Sequence, residues 1–144
     1  MINLYNIFDR NTEIHTMDVV VKESNIERKG VFAQRDFNKG EIVLDWSKSP
    51  ILTFSEAERL PPDQEKYVYY CEDKCVLVDP PARFVNHSCD PNIFIRDCFG
   101  IAKRAIKKGE EITEDYSLEP NPHLHLICNC KSENCRGIII GKRL

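Results

Sequence analysis

The sequence predicts a mainly β fold, built as several small sheets with few and short helices. Three observations predict it. Short apolar runs rich in β-branched and aromatic residues recur along the chain, at 19–21, 42–46, 75–79, 92–96, 99–104 and 111–116. Turn residues punctuate them, as in Asn38-Lys39-Gly40-Glu41, Pro80-Pro81, Asp97-Cys98 and Lys107-Lys108-Gly109-Glu110. Helix-forming patterns are confined to the region between Thr53 and Tyr70.

Taken in order, residues 1–17 show no clear pattern and read as a peripheral N-terminal extension, Met17 being a possible start. Asp18 to Glu23 carries Val19, Val20 and Val21 and reads as a strand. Gly30, between a charged turn and the apolar Val31-Phe32-Ala33, suggests a close backbone approach, although a plain β-turn accounts for it as well. A turn at Gly40 precedes the strand 42–46. Ser55-Glu56-Ala57-Glu58 reads as a capping-box start of a short helix, and Pro61-Pro62 ends it and can open another over 63–70, with Tyr69 and Tyr70 in a packing stripe. Strands are expected at 75–79, 92–96, 99–104 and 111–116. The tail beyond Pro120 reads as loop until Gly137–Ile140, where three isoleucines suggest docking.

The bulk numbers narrow the function classes. A length of 144 residues suits one domain. With 42% hydrophobic and 30% charged residues the chain folds instead of staying disordered. A formal net charge of −3 disfavours direct binding to nucleic-acid phosphates and suits a cationic partner better. No apolar run approaches a membrane span, and Asp9, Arg10, Asn11 and Glu13 interrupt any signal-peptide core. Seven cysteines without a secretory signal point to a reducing intracellular compartment, cytoplasmic or nuclear, where thiolates bind metal rather than pair.

Two stretches carry the chemistry. Residues 83–92, Arg-Phe-Val-Asn-His-Ser-Cys-Asp-Pro-Asn, put a carboxamide, an imidazole and a thiol into one segment. The run Cys128-Asn129-Cys130-Lys131-Ser132-Glu133-Asn134-Cys135 can supply thiol partners for Cys89. This pairing resembles the SET-domain protein lysine methyltransferases with a post-SET zinc site. The resemblance spans roughly Val19 to Gly137. It implies a SET domain over 18–118, a pseudoknot-like C-terminal crossing, and a zinc-bound post-SET tail over 119–144.

From that resemblance follow the site residues. Structural Zn²⁺ takes four soft ligands in a tetrahedron, and Cys89, Cys128, Cys130 and Cys135 are expected to be them. His123 or His125 as a ligand, or unpaired buried cysteines, are the competing readings. Lys131 and Arg136 are placed to offset the thiolate charge. Cys71, Cys75 and Cys98 fall outside the pattern and read as core thiols. The resemblance implies S-adenosyl-L-methionine as cofactor, held by the main chain at Arg28, Lys29 and Gly30 and by Tyr67, Asn86, His87 and Asn129. It implies Tyr116, in Glu111-Ile112-Thr113-Glu114-Asp115-Tyr116, as the catalytic residue bordering a lysine channel.

Four places depart from the family pattern. Arg28 replaces the first glycine of Gly-x-Gly, Pro81-Ala82 stand for Gly-Asn, and Ser117-Leu118 follow where a second tyrosine is usual. Glu114 stands where Phe or Tyr is usual, and that position helps set the number of methyl groups added. The reading is a protein-lysine N-methyltransferase acting on a lysine-containing protein or peptide, a histone among the candidates. Its alternative is a catalytically silent SET-like module that binds cofactor or a basic peptide. A zinc hydrolase is set aside, since four thiolates leave no open coordination position.

Overall fold

The computed structural model describes residues 14–15 and 18–143. The fold is mainly β, with small sheets and short helices. Ile14–His15 (β1) pair antiparallel with Val19–Glu23 (β2), which pairs with Lys29–Ala33 (β3). The first of these falls in the expected extension; the remainder of 1–17 lies outside the described residues. Ile42–Asp45 (β4) and Ile51–Leu52 (β5) lead to the helices Phe54–Glu58 (α1) and Pro62–Glu65 (α2). Val68–Tyr70 (β6), Cys75–Leu77 (β7) and Asn86–His87 (β8) follow. Then come Ile93–Arg96 (β9), Phe99–Ala102 (β10) and Glu111–Glu114 (β11), and last His125–Ile127 (β12) and Ile138–Ile140 (β13).

The strands form a five-stranded sheet in the order β1-β2-β3-β11-β8, three-stranded sheets β4-β10-β9 and β5-β7-β6, and the hairpin β12-β13. The late strand β11 is inserted between two earlier ones. It runs antiparallel to β3 and parallel to β8, with Thr113 opposite Asn86 and Glu114 opposite His87. This insertion is where the expected C-terminal crossing lies, and it brings the two sequence motifs side by side. Asn92 secures it: its side chain accepts from the Thr113 N–H (2.9 Å) and donates to the Glu111 carbonyl (2.8 Å). Asn92 is only 2% exposed, so it acts as an extra strand partner for β11 and satisfies buried backbone groups.

The main core lies between these sheets, with Phe37, Ile93, Ile106 and Ile112 fully buried. A second cluster gathers Ala57, Val68, Tyr70, Cys75 and Leu77 beneath α1.

Three expectations are corrected. The capping box of α1 begins at Thr53, not Ser55: the Thr53 hydroxyl accepts from the Glu56 N–H, and the Glu56 carboxylate accepts from the Thr53 N–H. Ser55 instead accepts from Arg59. The second helix stops at Glu65, because Val68–Tyr70 gains more by pairing with β7 than by continuing a turn. The tail also contains β12 before the isoleucine strand, where a loop was expected.

Gly30 is required for the close approach that its position suggested. A Cβ there would lie 2.2 Å from Glu111 Oε1 and 3.0 Å from Ser24 Cβ. Glu111 cannot swing aside freely, because Ser24 and Asn86 donate to its carboxylate. Gly30→Ala should therefore lower stability by about 2 kcal/mol, read as a drop in the urea midpoint at unchanged slope.

Candidate active site and thiol cluster

Asn86 and His87 are fixed by β8 and almost fully buried. The Asn86 carboxamide donates to the Lys29 carbonyl (2.8 Å) and to Glu111 (2.9 Å), tying β8 to the start of β3. His87 Nδ1 accepts from the Tyr116 N–H at 3.1 Å. Burial holds its pKa below the usual range, Asp115 only partly opposing that, so the ring is neutral and, with Nδ1 accepting, its proton sits on Nε2. That N–H points at Cys89 Sγ, 3.3 Å away. One imidazole thus joins the backbone of Tyr116 to a cysteine sulfur.

Around that sulfur the tail closes. Metal-ligating atoms of His87, Cys89, Cys128 and Cys130 lie within 4.8 Å of one another. Cys89 and Cys128 sulfurs are 3.8 Å apart, matching the edge of about 3.8 Å that a tetrahedron of Zn–S bonds near 2.3 Å requires. The Cys135 thiol contacts Cys128 from an exposed position. Burial pushes Cys130 up, but hydrogen bonds from the Cys89 N–H and from Ser132 outweigh it and lower this thiol, while Cys128 is raised. The set offers soft donors with one thiolate already favoured, so it fits zinc. The group the fold draws together has His87 as its fourth member, while Cys135, the expected fourth ligand, stands at the exposed edge of the cluster.

Arg136 offsets the charge, as expected. Its backbone N–H and Nε both donate to Cys89 Sγ at 3.4 Å, and its Nη2 donates to Asp115 at 2.7 Å. No such contact involves Lys131 among the described residues. Cys75 is a buried core thiol; Cys71 and Cys98 are half-buried against the main core.

Two cavities meet beside Tyr116. The larger, about 1330 Å³, is lined by Arg28, Lys29, Tyr67, Asn86, His87 and Asn129. The tail hairpin contributes Leu126, Ile127 and Ile139 to the same wall. The smaller, about 120 Å³, runs between Trp46, Tyr69, Glu114 and Glu119. Tyr67, Arg83 and Tyr116 belong to both. The Tyr116 ring packs 5.5 Å from His87, and its hydroxyl donates to the Val85 carbonyl. Burial, then Glu114 and Glu119, hold its pKa well above that of an ordinary phenol, so it is a neutral donor.

Residues 28–117 match the SET domain. The chain belongs to the SET domain family. This SET chain is 45% identical over 130 residues to the histone-lysine N-methyltransferase ash1 of Drosophila melanogaster, 78% of the chain aligning with 6% of that protein. It is 30% identical over 142 residues to an H3 lysine-36 specific histone-lysine N-methyltransferase of Candida glabrata, covering 87% of the chain and 20% of the relative. It is 29% identical over 136 residues to histone-lysine N-methyltransferase 2D of Homo sapiens, covering 83% and 2%. The SET chain thus spans at most a fifth of the length of these curated relatives.

Against this geometry, the expected residues Arg28, Lys29, Tyr67, Asn86, His87 and Asn129 stand on one cavity with Tyr116. Gly30, the remaining expected contact, follows Lys29 in β3 and packs closely against Glu111 and Ser24. Sequence reasoning did not find Tyr69, Trp46 and Glu119 in the smaller cavity. Tyr69 was assigned to a helix stripe. The alternation of a strand, which sends Tyr69 and Tyr70 to opposite faces, was the available signal. Among the described residues no helix is long and apolar enough to cross a membrane.

Proposed function

We propose that this SET chain is an S-adenosylmethionine-dependent protein-lysine N-methyltransferase whose substrate is a basic protein, a histone among the candidates. The observation that carries the reading is the meeting of the two cavities at Tyr116. A large cavity and a small one beside Trp46, Tyr67 and Tyr69 share Tyr116 on their walls, as neighbouring sites for a donor and an amine acceptor need. The names of the relatives support the same chemistry. The cofactor, when bound, supplies a methyl group on a cationic sulfur. Asn86, His87, Tyr67, Asn129 and the main chain at Arg28 and Lys29 hold it, and Gly30 keeps that wall in place. Tyr116 borders the path between amine and methyl, with its hydroxyl aimed by Val85. Zinc held by Cys89, Cys128, Cys130 and Cys135 fixes the tail, residues 119–144, against the domain at 18–118. An intracellular location fits both thiolate ligands and such a substrate.

Thermal shift with S-adenosylmethionine, followed by transfer of a tritiated methyl group to basic proteins, tests the proposal. Binding and transfer are expected, with transfer lost in Tyr116→Phe by at least a hundredfold while the thermal shift persists. A second reading, a silent binding module, is favoured by one observation: Glu114 lies in the smaller cavity. Cofactor binding with no transfer across a broad panel of basic proteins would establish that module instead.

A further inference from the structure

Glu114 occupies the position at which an aromatic residue was expected, and the fold turns it inward. Its carboxyl lines the 120 Å³ cavity beside Tyr69 and Tyr116. Among the described residues it meets no hydrogen-bond donor and no cation; the groups that act on it are carboxylates. Burial, then Glu119 and Asp115, push its pKa up to about 8. Glu119, across the cavity, is anchored by the Tyr70 N–H (2.9 Å) and is itself raised to about 7 by burial. Two cations also line the wall. Lys66 and Arg83 sit over the Tyr67 ring at 4.9 and 4.5 Å, and Arg83 Nε donates to the Val78 carbonyl. Tyr69 and Tyr116 are both raised as phenols and stay neutral. The site therefore presents a carboxyl with no cation paired to it in a half-open cavity, which a cation entering from outside would satisfy. Its volume is roughly four times the ~30 Å³ share of a liquid water, a fit for one unbranched alkylamine and not for a folded loop.

We propose that Glu114 recognises the incoming lysine ammonium and is the base that takes its proton. The inference rests on the methyltransferase reading for its last step only. Lys-NH₃⁺ and Glu114-COO⁻ become Lys-NH₂ and Glu114-COOH. The freed nitrogen lone pair then forms the N–CH₃ bond as the S–CH₃ bond breaks, that bond's electron pair staying on sulfur. The product nitrogen carries the positive charge, and the proton on Glu114 returns to water when the product leaves. Against an ordinary carboxylate a lysine is about six pH units too weak an acid for this transfer. Burial and the neighbouring carboxylates raise the Glu114 carboxyl and so narrow that gap, the entering ammonium giving part of it back. In a fully exposed site the ion pair would persist; in a part-buried cavity the neutral acid–amine pair competes with it. Glu119 adds to this by opposing a second negative charge.

The test follows the Glu114 carboxyl carbon by NMR in the full chain labelled with ¹³C-glutamate, with and without n-butylamine, which reproduces the lysine side chain from Cβ to Nζ. The expected result is a titration near pH 8 that moves when the amine is added. A titration below pH 5, or one indifferent to the amine, would overturn the inference, and this measurement needs no variant. In E114Q the cofactor thermal shift should be unchanged and kcat at pH 7.5 should fall at least a hundredfold, then climb about tenfold per pH unit toward pH 10 as lysine loses its own proton. An unchanged kcat and pH profile in E114Q would also overturn it. Wild-type protein that methylates nothing yet shows the amine response would defeat the methyltransferase reading alone.

Discussion

Removing the metal should release the tail and weaken cofactor binding together. The tail has little else to hold it. In the β12-β13 hairpin only Ile139 is buried, while Ile127 is 79% exposed and Leu126, Ile138 and Ile140 are about half exposed. Two strands alone are marginal in water. The remaining ties to the domain are few: Asn134 donates to the Cys89 carbonyl (2.9 Å), Glu119 accepts from the Tyr70 N–H (2.9 Å), and Arg136 donates to Asp115 and Ser117. Structural zinc sites contribute on the order of 10 kcal/mol or more, so the thiols dominate this balance. The same hairpin and Asn129 form one wall of the larger cavity. A chelator should thus expose 119–143 to protease and reduce S-adenosylmethionine affinity at least tenfold, with loss of about one zinc per chain by atomic absorption. Cys135→Ser should do the same in smaller measure, since its thiol stands at the exposed edge. Cys89→Ser should do more, because it also removes the sulfur that faces His87 and Arg136. Zinc-free protein with a cleavable tail and undiminished cofactor affinity would separate the metal from the cofactor wall.

How much of this was legible in the sequence follows from how local each cause is. Strands β2, β4, β9, β10 and β11 were readable because short β-branched runs sit between turn residues. Gly40 and Gly109, both at positive φ, mark two of those turns. The gathering of Cys89, Cys128 and Cys130 was readable because thiol spacing is a narrow signal. The fate of 63–70 was not. Its polar first half does form a turn of helix, and only the distant β7 makes Val68–Tyr70 a strand. The orientation of Glu114 was equally hidden. Period-2 alternation says that Thr113 and Glu114 face opposite ways, but which of them faces the core depends on β11 lying between β3 and β8. His87 was singled out as a cofactor contact, whereas its link from the Tyr116 N–H to the Cys89 sulfur needs coordinates to be seen.

Asn86→Ala should be the most damaging change outside the thiol cluster, costing about 3 kcal/mol of stability. The carboxamide is buried, and its amine group has the Lys29 carbonyl, the Glu27 carbonyl, Ser24 Oγ and Glu111 Oε1 within 3.3 Å. Alanine leaves a part-buried carboxylate supported by Ser24 alone (2.7 Å), and two carbonyls without their donor. Those carbonyls belong to the segment that lines the larger cavity, so the thermal shift with S-adenosylmethionine should fall with the midpoint. Asn86→Asp separates the charge from the lost contact. An aspartate there faces Glu111 and the same carbonyls, so its folded-state pKa lies above its unfolded value of about 3.9. The folded form then binds the extra proton, and stability declines as pH rises through and above 4. Asn86→Asp should approach Asn86→Ala at pH 4 and be clearly less stable than it at pH 7, as read by urea midpoints at both values. Equal midpoints for the two variants at pH 7 would mean that Glu111 has moved away, and that the contact joining β8 to β3 is looser than the hydrogen bonds indicate.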